Sequence, residues 1–217
     1  MIYNVYKPAG WSSFDVVKKI RNITKEKKVG HGGTLDPFAE GVLIIGTGKD
    51  TKTLQQYTNT DKSYKAVLKL GELTDTLDKE GTITKIKPVP DLNAEEIATV
   101  LNSFRGLQTQ IPPMYSAKKI KGKRLYLLAR QNLEIPREPV SINIYSIRLI
   151  DFNNSEIKFS AIVSKGTYIR VLGQDIALKL GTVGHLISLI RTKVGDFNYK
   201  NSQSIQNFQE KWKLTTI

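Results

Sequence analysis

The sequence predicts an α+β fold, a mixed or antiparallel central sheet flanked by helices, with one basic excursion out of the core. Three observations predict it. Residues 62–70, KSYKAVLKL, alternate Tyr64, Ala66, Leu68 and Leu70 against Lys65, Val67 and Lys69, the period of a half-solvated strand. The runs SINIYSIRLIDF and EIKFSAIV meet at Asn153-Asn154 as hairpin partners. Segments of helical period fall between groups of strands rather than after every strand, which argues against a strict βαβ series. No internal repeat and no low-complexity tract interrupts this pattern.

From the start, IYNVYK reads as a short strand that runs into the turn Pro8-Ala9-Gly10. Ser12 and Ser13 can cap a helix whose Val16, Val17, Ile20 and Ile23 share one face, with a stop expected near Lys28. VGHGGTLDPFAEG has four glycines and a proline and is expected to be an irregular loop, followed by the strand-like VLIIG. A second helix is expected over Lys52 to Tyr57. TDTLDKEG reads as an acidic turn. Asn93, with Glu96 three residues on, marks a capping-box entry to a helix ending by Phe104. The segment Ile111 to Pro139, bounded by Pro112-Pro113 and Pro136 to Pro139, holds a short amphipathic helix around RLYLLARQ and forms a thumb-like insertion. After SKGTY a helix carries Ile169, Leu172, Ile176 and Leu180 on one face and stops at Gly181; LISLIRTKVG is the last apolar segment.

Composition narrows the chemistry. The chain has 217 residues, 40% of them hydrophobic, with 33 Lys+Arg against 20 Asp+Glu for a formal charge of +13, and no cysteine. That excludes disulfide scaffolds, thiol nucleophiles, thiolate zinc sites and iron–sulfur clusters. The two histidines, His31 and His185, are far apart, so a metal would have to be held by carboxylates. MIYNVYKPAG has no apolar signal region, and the longest aliphatic run, Val42 to Ile45, is far below the ~20 residues that span a bilayer, so the expected location is cytoplasmic, away from membranes. A charge of +13 fits a lysine-rich surface or a polyanion partner. Clustering favours nucleic acid: Ile97 to Leu133 contains no acid but carries Arg105, Lys118, Lys119, Lys121, Lys123, Arg124 and Arg130.

Two places could carry chemistry. In GHGGTLDPFAEG, residues 30–41, glycines permit unusual backbone conformations and Pro37 stiffens the loop around Asp36. Asp36 there is either an Asx turn or cap, as Asp-Pro often provides, or a carboxylate held rigidly at a concave surface. SKGTYIR, residues 164–170, places Lys165, Tyr168 and Arg170 near a helix N-terminus, where Arg170 is either a surface ion pair or an anion reader and Tyr168 either a core aromatic or part of a site. VLIIGTGKDTK fails as a phosphate-binding P-loop, because Leu43 and Asp50 stand where glycine and Ser/Thr are required. Gly30-His31-Gly32-Gly33 fits the short clamp of KH domains, but nothing around it repeats the KH order.

At GHGGTLDPFAEGVL the chain resembles the TruB family of tRNA pseudouridine-55 synthases. The likeness continues in order through NVYKPAGWSS, KSYKAVLKLG with TDTLDKEG, IPPMYSAKKIKGKRLYLLAR and SKGTYIR, to about Phe197. The resemblance implies the pseudouridine synthase fold and an isomerase (an intramolecular transferase) acting on the T-loop uridine of tRNA. It implies no cofactor, no metal and no obligate protein partner, with the T-arm of tRNA as partner. Position by position, Asp36 matches the catalytic aspartate, Tyr64 the tyrosine that stacks on the target base and is a candidate proton acceptor, and Arg170 the arginine paired with the catalytic carboxylate. His31 matches a histidine close to the flipped nucleotide, Tyr168 and Leu189 match residues lining the base pocket, and Lys7-Pro8 matches a motif that buttresses the catalytic loop. Residues 112–139, with Lys118, Lys119, Lys121, Lys123 and Arg124, match an insertion that clamps the T-loop.

That chemistry accounts for the residue types. Isomerising uridine breaks N1–C1′ and joins C5 to C1′, which calls for a nucleophile; the carboxylate can attack sugar or base, or stabilise charge at C1′. A neighbouring arginine favours its charged form. The base must leave its stack, which suits a flat tyrosine face and glycines that allow close approach. Tyr6 and Ser12 depart from the family's more usual Asp or Asn and Thr. The expected organisation is a catalytic domain over 1–197, with 112–139 as the RNA-clamping insertion, and a short extension over 198–217 in which SIQNFQEKW is one helix packed on the core. The PUA domain common in the family is expected to be absent. Two rival readings are a non-catalytic RNA-binding chaperone on the same fold, and a glycoside hydrolase pairing Asp36 with Glu40, for which +13 is an odd charge.

Overall fold

Ser12 opens the first helix because its hydroxyl accepts from the Asp15 N–H at 3.1 Å while the Asp15 carboxylate accepts from the Ser12 N–H at 2.9 Å, a reciprocal cap. The computed structural model describes residues 1–120, 122–131 and 133–215. In chain order its elements begin with β1 (Ile2–Lys7), α1 (Ser13–Thr24), β2 (Val29–His31), β3 (Glu40–Thr47), a 3-10 turn and α2 (Leu54–Thr58). There follow β4 (Lys62–Leu70), β5 (Glu72–Thr74), β6 (Ile83–Ile86), α3 (Ala94–Asn102), β7 (Gly106–Gln110), β8 (Lys119–Ile120), β9 (Lys123–Arg124) and α4 (Leu125–Ala129). The chain continues with β10 (Val140–Phe152), β11 (Glu156–Val163), α5 (Ile169–Lys179), β12 (Gly184–Val194), β13 (Phe197–Asn198) and α6 (Ile205–Thr215). The fold is α+β with a mixed sheet flanked by helices. It falls into two units, Met1–Lys65 with Leu189–Ile217, and Ala66–Ser188, the division lying within β4 and β12.

In the first unit β3 is the central strand. It pairs antiparallel with β1 (Val5↔Leu43) and β2 (Val29↔Thr47) and parallel with β12 (Arg191↔Gly41). Its VLII run is buried on both faces, which is why it reads as continuous rather than alternating. Leu43 and Ile45 face Val5, Val16, Val17, Ile20 and Phe208, under α1 and α6, while Val42 and Ile44 face Leu54 and Val194. Phe208 of α6 packs edge-on to Tyr3 at 4.9 Å and stacked with Trp212 at 6.0 Å, so the C-terminal helix is part of this core.

Three local expectations are corrected here. The first helix stops at Thr24, short of Lys28, because Lys25 turns left-handed (φ 58) and its N–H closes on the Arg21 carbonyl. The glycine-rich stretch is not irregular throughout: Val29–His31 is β2, and the bare glycines in it and just after it let α2 pack closely, since a Cβ on Gly30 would press on Leu54 and one on Gly32 on Tyr57. The second helix is a 3-10 turn over Gly48–Thr53 followed by α2.

In the second unit, β4, β11, β10 and β7 lie side by side in that order. β10 pairs antiparallel with β11 (Ile147↔Ala161) and with β7 (Ile142↔Gln108). Every second residue of β4 is buried, as the alternation predicts, and the inward faces of β10 and β11 supply Ile142, Ile144, Ile157 and Phe159. Helix α3 opens on the Asn93–Glu96 box and buries Ile97 and Leu101. The proline-bounded segment leaves this unit as the β8–β9 hairpin and α4, anchored by the buried Leu125 and Ala129.

On α5, Asp175 is half-buried, and desolvation pushes its carboxyl up from the ordinary 3.8 to about 6. Because the folded value lies above the unfolded one, the fold must carry a poorly solvated charge only once the pH rises through that window. Asp175→Asn is therefore expected to raise the melting temperature at about pH 8 and to lose that advantage by about pH 4. Thermal unfolding of both proteins across pH checks this; an advantage that does not change with pH contradicts it.

Candidate active site

Asp36 sits on the loop between β2 and β3, where the backbone leaves the sheet and its carbonyls lose their ladder partners. Buried cations supply the donors. Lys7 at the end of β1 is 0% exposed, and its ammonium donates to the carbonyls of Pro8 (2.9 Å), Trp11 and Pro37 (3.2 Å). Arg191 on β12 is 1% exposed, and its Nε donates to Val42 O at 2.8 Å, Nη1 to Thr34 O at 3.1 Å and Nη2 to Gly33 O at 3.2 Å. Ser13 adds a two-way bond with the Leu35 backbone, donating to its carbonyl at 3.0 Å and accepting from its N–H at 2.8 Å. Gly41, at φ +110, is required because a Cβ there would run into the Arg191 backbone. The loop on either side of Asp36 is thus fixed from below, as a positioned carboxylate needs.

Tyr64 is buried on β4. Burial pushes its phenol above the ordinary value, an Arg191 hydrogen bond and positive charge pull the other way, and the Asp36 carboxylate raises it again. The net rise keeps Tyr64 protonated at neutral pH. Leu189, two residues before Arg191, is buried on the same side of β12. His31 ends β2 and lines a cleft of about 650 Å³ with Arg21, Lys27, Lys28 and Lys52, and no acid is among its lining residues.

Tyr168 and Arg170 belong to the second unit. Tyr168 is the N-cap residue of α5, and the Gln110 side-chain amide brackets its backbone, accepting from its N–H at 3.0 Å and donating to its carbonyl at 3.3 Å. Arg170 is not a surface ion pair. It is 3% exposed, donates to Thr76 O at 2.6 Å and Tyr115 O at 2.7 Å, and pairs with the Asp78 carboxylate at 3.3 Å. Asp78 also accepts from Thr76 Oγ1 at 2.7 Å and from the Glu80 N–H at 3.0 Å. The acidic turn TDTLDKEG thus sends one carboxylate inward, next to Leu77, which holds the left-handed φ of 62.

In the insertion, Lys119 pairs with Arg124 and Ile120 with Lys123 across a turn at Gly122 (φ +80). Lys119, Lys123 and Arg124 are exposed and Lys118 is half-buried. Lys121 lies outside the described residues. Among the described residues, no three His, Asp or Glu side chains come together as a metal site, and no helix is long and apolar enough to cross a membrane.

Three residues of these sites were not singled out from the sequence: Arg191, Asp78 and Gln110. Only Arg191 left a signal, a single cation inside the apolar run LISLIRTKVG.

This architecture is similar to that of a chain in a crystal structure of a Cbf5–Nop10–Gar1 complex, with a TM-score of 0.78 and 29% identity; the match covers 100% of this chain and 56% of that one, little more than half its length. The sequence matches the TruB family pseudouridylate synthase (N terminal domain) over residues 21–169. It is 48% identical over 209 residues to tRNA pseudouridine synthase B of Clostridium tetani, and 46% identical over 209 residues to that of Clostridium acetobutylicum, in each case spanning 96% of this chain and 72% of the relative. The chain belongs to the TruB family of pseudouridylate synthases.

Removing one partner of a buried ion pair strands the other charge, at a cost of about 3–5 kcal/mol. Asp78→Ala is therefore expected to lower stability to urea by about 3 kcal/mol. A loss below about 1 kcal/mol would contradict a stabilising role for the Asp78–Arg170 pair.

Proposed function

We propose that this protein isomerises the T-loop uridine at position 55 of tRNA to pseudouridine, with Asp36 as nucleophile on a flipped-out base. The observation that carries the reading is the Asp36 loop itself, a carboxylate held between carbonyls gripped by two buried cations, Lys7 and Arg191. The names of the relatives, tRNA pseudouridine synthase B, support tRNA as substrate.

Asp36 attacks the sugar or the base, or carries the charge at C1′, while the N1–C1′ bond breaks. The uracil turns, C5 bonds to C1′, the proton leaves C5 and N1 gains one, so atoms balance without oxidant or reductant. Tyr64 offers a flat face to the base and is the candidate proton acceptor, with a phenol that burial keeps protonated at neutral pH until the proton moves. By the family resemblance, Arg170 is assigned as the arginine paired with the catalytic carboxylate, Tyr168 and Leu189 as residues lining the base pocket, and His31 as a residue close to the flipped nucleotide. The exposed hairpin cations and the basic cleft at His31 are assigned to backbone phosphates.

Asp36→Ala and Asp36→Asn are expected to lose turnover by on the order of a thousandfold or more, with tRNA affinity nearly unchanged. Mapping pseudouridine on total tRNA after incubation with wild type and variant reads both the site and the loss. Turnover within about tenfold of wild type would sink the assignment. Wild-type protein that binds tRNA but forms no pseudouridine would favour the chaperone reading.

Replacing Lys119, Lys123 and Arg124 together by Gln should weaken tRNA binding and reduce the slope of log K against log salt by about 2. An unchanged slope places the RNA elsewhere.

A further inference from the structure

A glutamine at the end of an edge strand ordinarily reaches into solvent, yet Gln110, the last residue of β7, is 4% exposed. Two fixed partners hold its side chain. Its Oε1 accepts from the Tyr168 N–H at 3.0 Å, and its Nε2 donates to the Tyr168 carbonyl at 3.3 Å. An amide turned the other way would set donor against donor and acceptor against acceptor, so the two bonds together fix its orientation. The pair copies the exchange of two bonds between facing residues of an antiparallel ladder, at a residue that lies outside every strand.

Tyr168 is the N-cap residue of α5, at φ −95 and ψ 105, so its N–H precedes the helical ladder and finds no acceptor within the helix. Its carbonyl accepts from the Leu172 N–H at 3.1 Å and has a second lone pair for Gln110. At the other end, the Gln110 backbone pairs with Val140, the two residues between which the segment 112–139 leaves the sheet and returns to it. One residue thus ties the neck of the insertion to the backbone that carries the Tyr168 ring. We infer that Gln110 is a positioning residue that fixes the Tyr168 backbone against the neck of the RNA-clamping insertion and so sets where the Tyr168 ring meets the flipped uridine. This inference rests on the function proposed above.

Gln110→Ala removes both bonds and leaves the tyrosine ring in the chain. In single-turnover assays on tRNA, it is expected to slow pseudouridine formation at least about tenfold, as small misplacements of a positioning group do, with tRNA affinity within about threefold of wild type. Tyr168→Leu keeps the backbone that Gln110 holds but has no ring to aim. In that background Gln110→Ala should cost at least about threefold less than it does in wild type. A glutamine that only supports the fold would cost the same in both backgrounds; that result, or a Gln110→Ala rate within about threefold of wild type, overturns the inference.

A second measurement needs no variant to fold. In nitrogen-15-labelled wild-type protein, the Tyr168 amide should be protected from hydrogen exchange at least about tenfold more than the amides of the exposed Lys165 and Gly166 just before it; equal protection overturns the contact. Wild-type protein that forms no pseudouridine in tRNA would remove the functional reading, while exchange at Tyr168 would still decide whether Gln110 holds its backbone.

Discussion

A loop that leaves a sheet with its carbonyls turned inward must find donors for them, because an unpaired buried carbonyl costs about as much as a lost hydrogen bond. Here the donors are long cationic side chains reaching in from the sheet. Lys7 collects the carbonyls of Pro8, Trp11 and Pro37, and Arg191 those of Gly33, Thr34 and Val42. The same device recurs away from Asp36. Lys62 takes the carbonyls of Tyr57, Thr58 and Thr60 where α2 ends, and Arg170 takes those of Thr76 and Tyr115. A cation at a helix C-terminus also meets the negative end of its dipole.

This changes how the charge of the chain should be understood. A formal +13 suggests a surface made for a polyanion, yet Lys7, Lys62, Arg170 and Arg191 are all buried and engaged with backbone. Their positive charge lies inside the protein. The charges open to an RNA backbone are others, such as those of the β8–β9 hairpin and of the cleft beside His31. Counting residues cannot separate these two populations; burial does.

Regular elements were legible in the sequence because their signals are local. The alternation of KSYKAVLKL gave β4 to the residue, Asn93 with Glu96 gave the start of α3, and Asn153 gave the β10–β11 turn, where its side chain accepts from the Ser155 and Glu156 N–H groups. The glycine-rich stretch was half legible: it announced close approach but not that β2 would use Gly30 to admit Leu54. Arg191, Asp78 and Gln110 were missed for a common reason. Each acts on backbone or charge far away in sequence: Arg191 is more than 140 residues from the carbonyls it holds, and Asp78 is about 90 from Arg170. A single polar residue in a turn or strand carries no period that would reveal such a partner.

Glycine and cation are complementary halves of the Asp36 loop. Gly41 brings the backbone of β3 against that of β12 at Arg191, a closeness no side chain permits, and the Arg191 guanidinium reaches back to close the loop from its other arm. Such a loop has little freedom to relax, and neither has Leu77 in its left-handed conformation beside Asp78. Rigidity in the Asp36 loop suits the proposed function, because a carboxylate that acts on a single atom of a flipped nucleotide would lose rate with every ångström of wander. The cost is borne by the surrounding core: β3 is apolar on both faces, and α1, α2 and α6 cover it, so the strand to which the loop is tied is among the most buried in the protein.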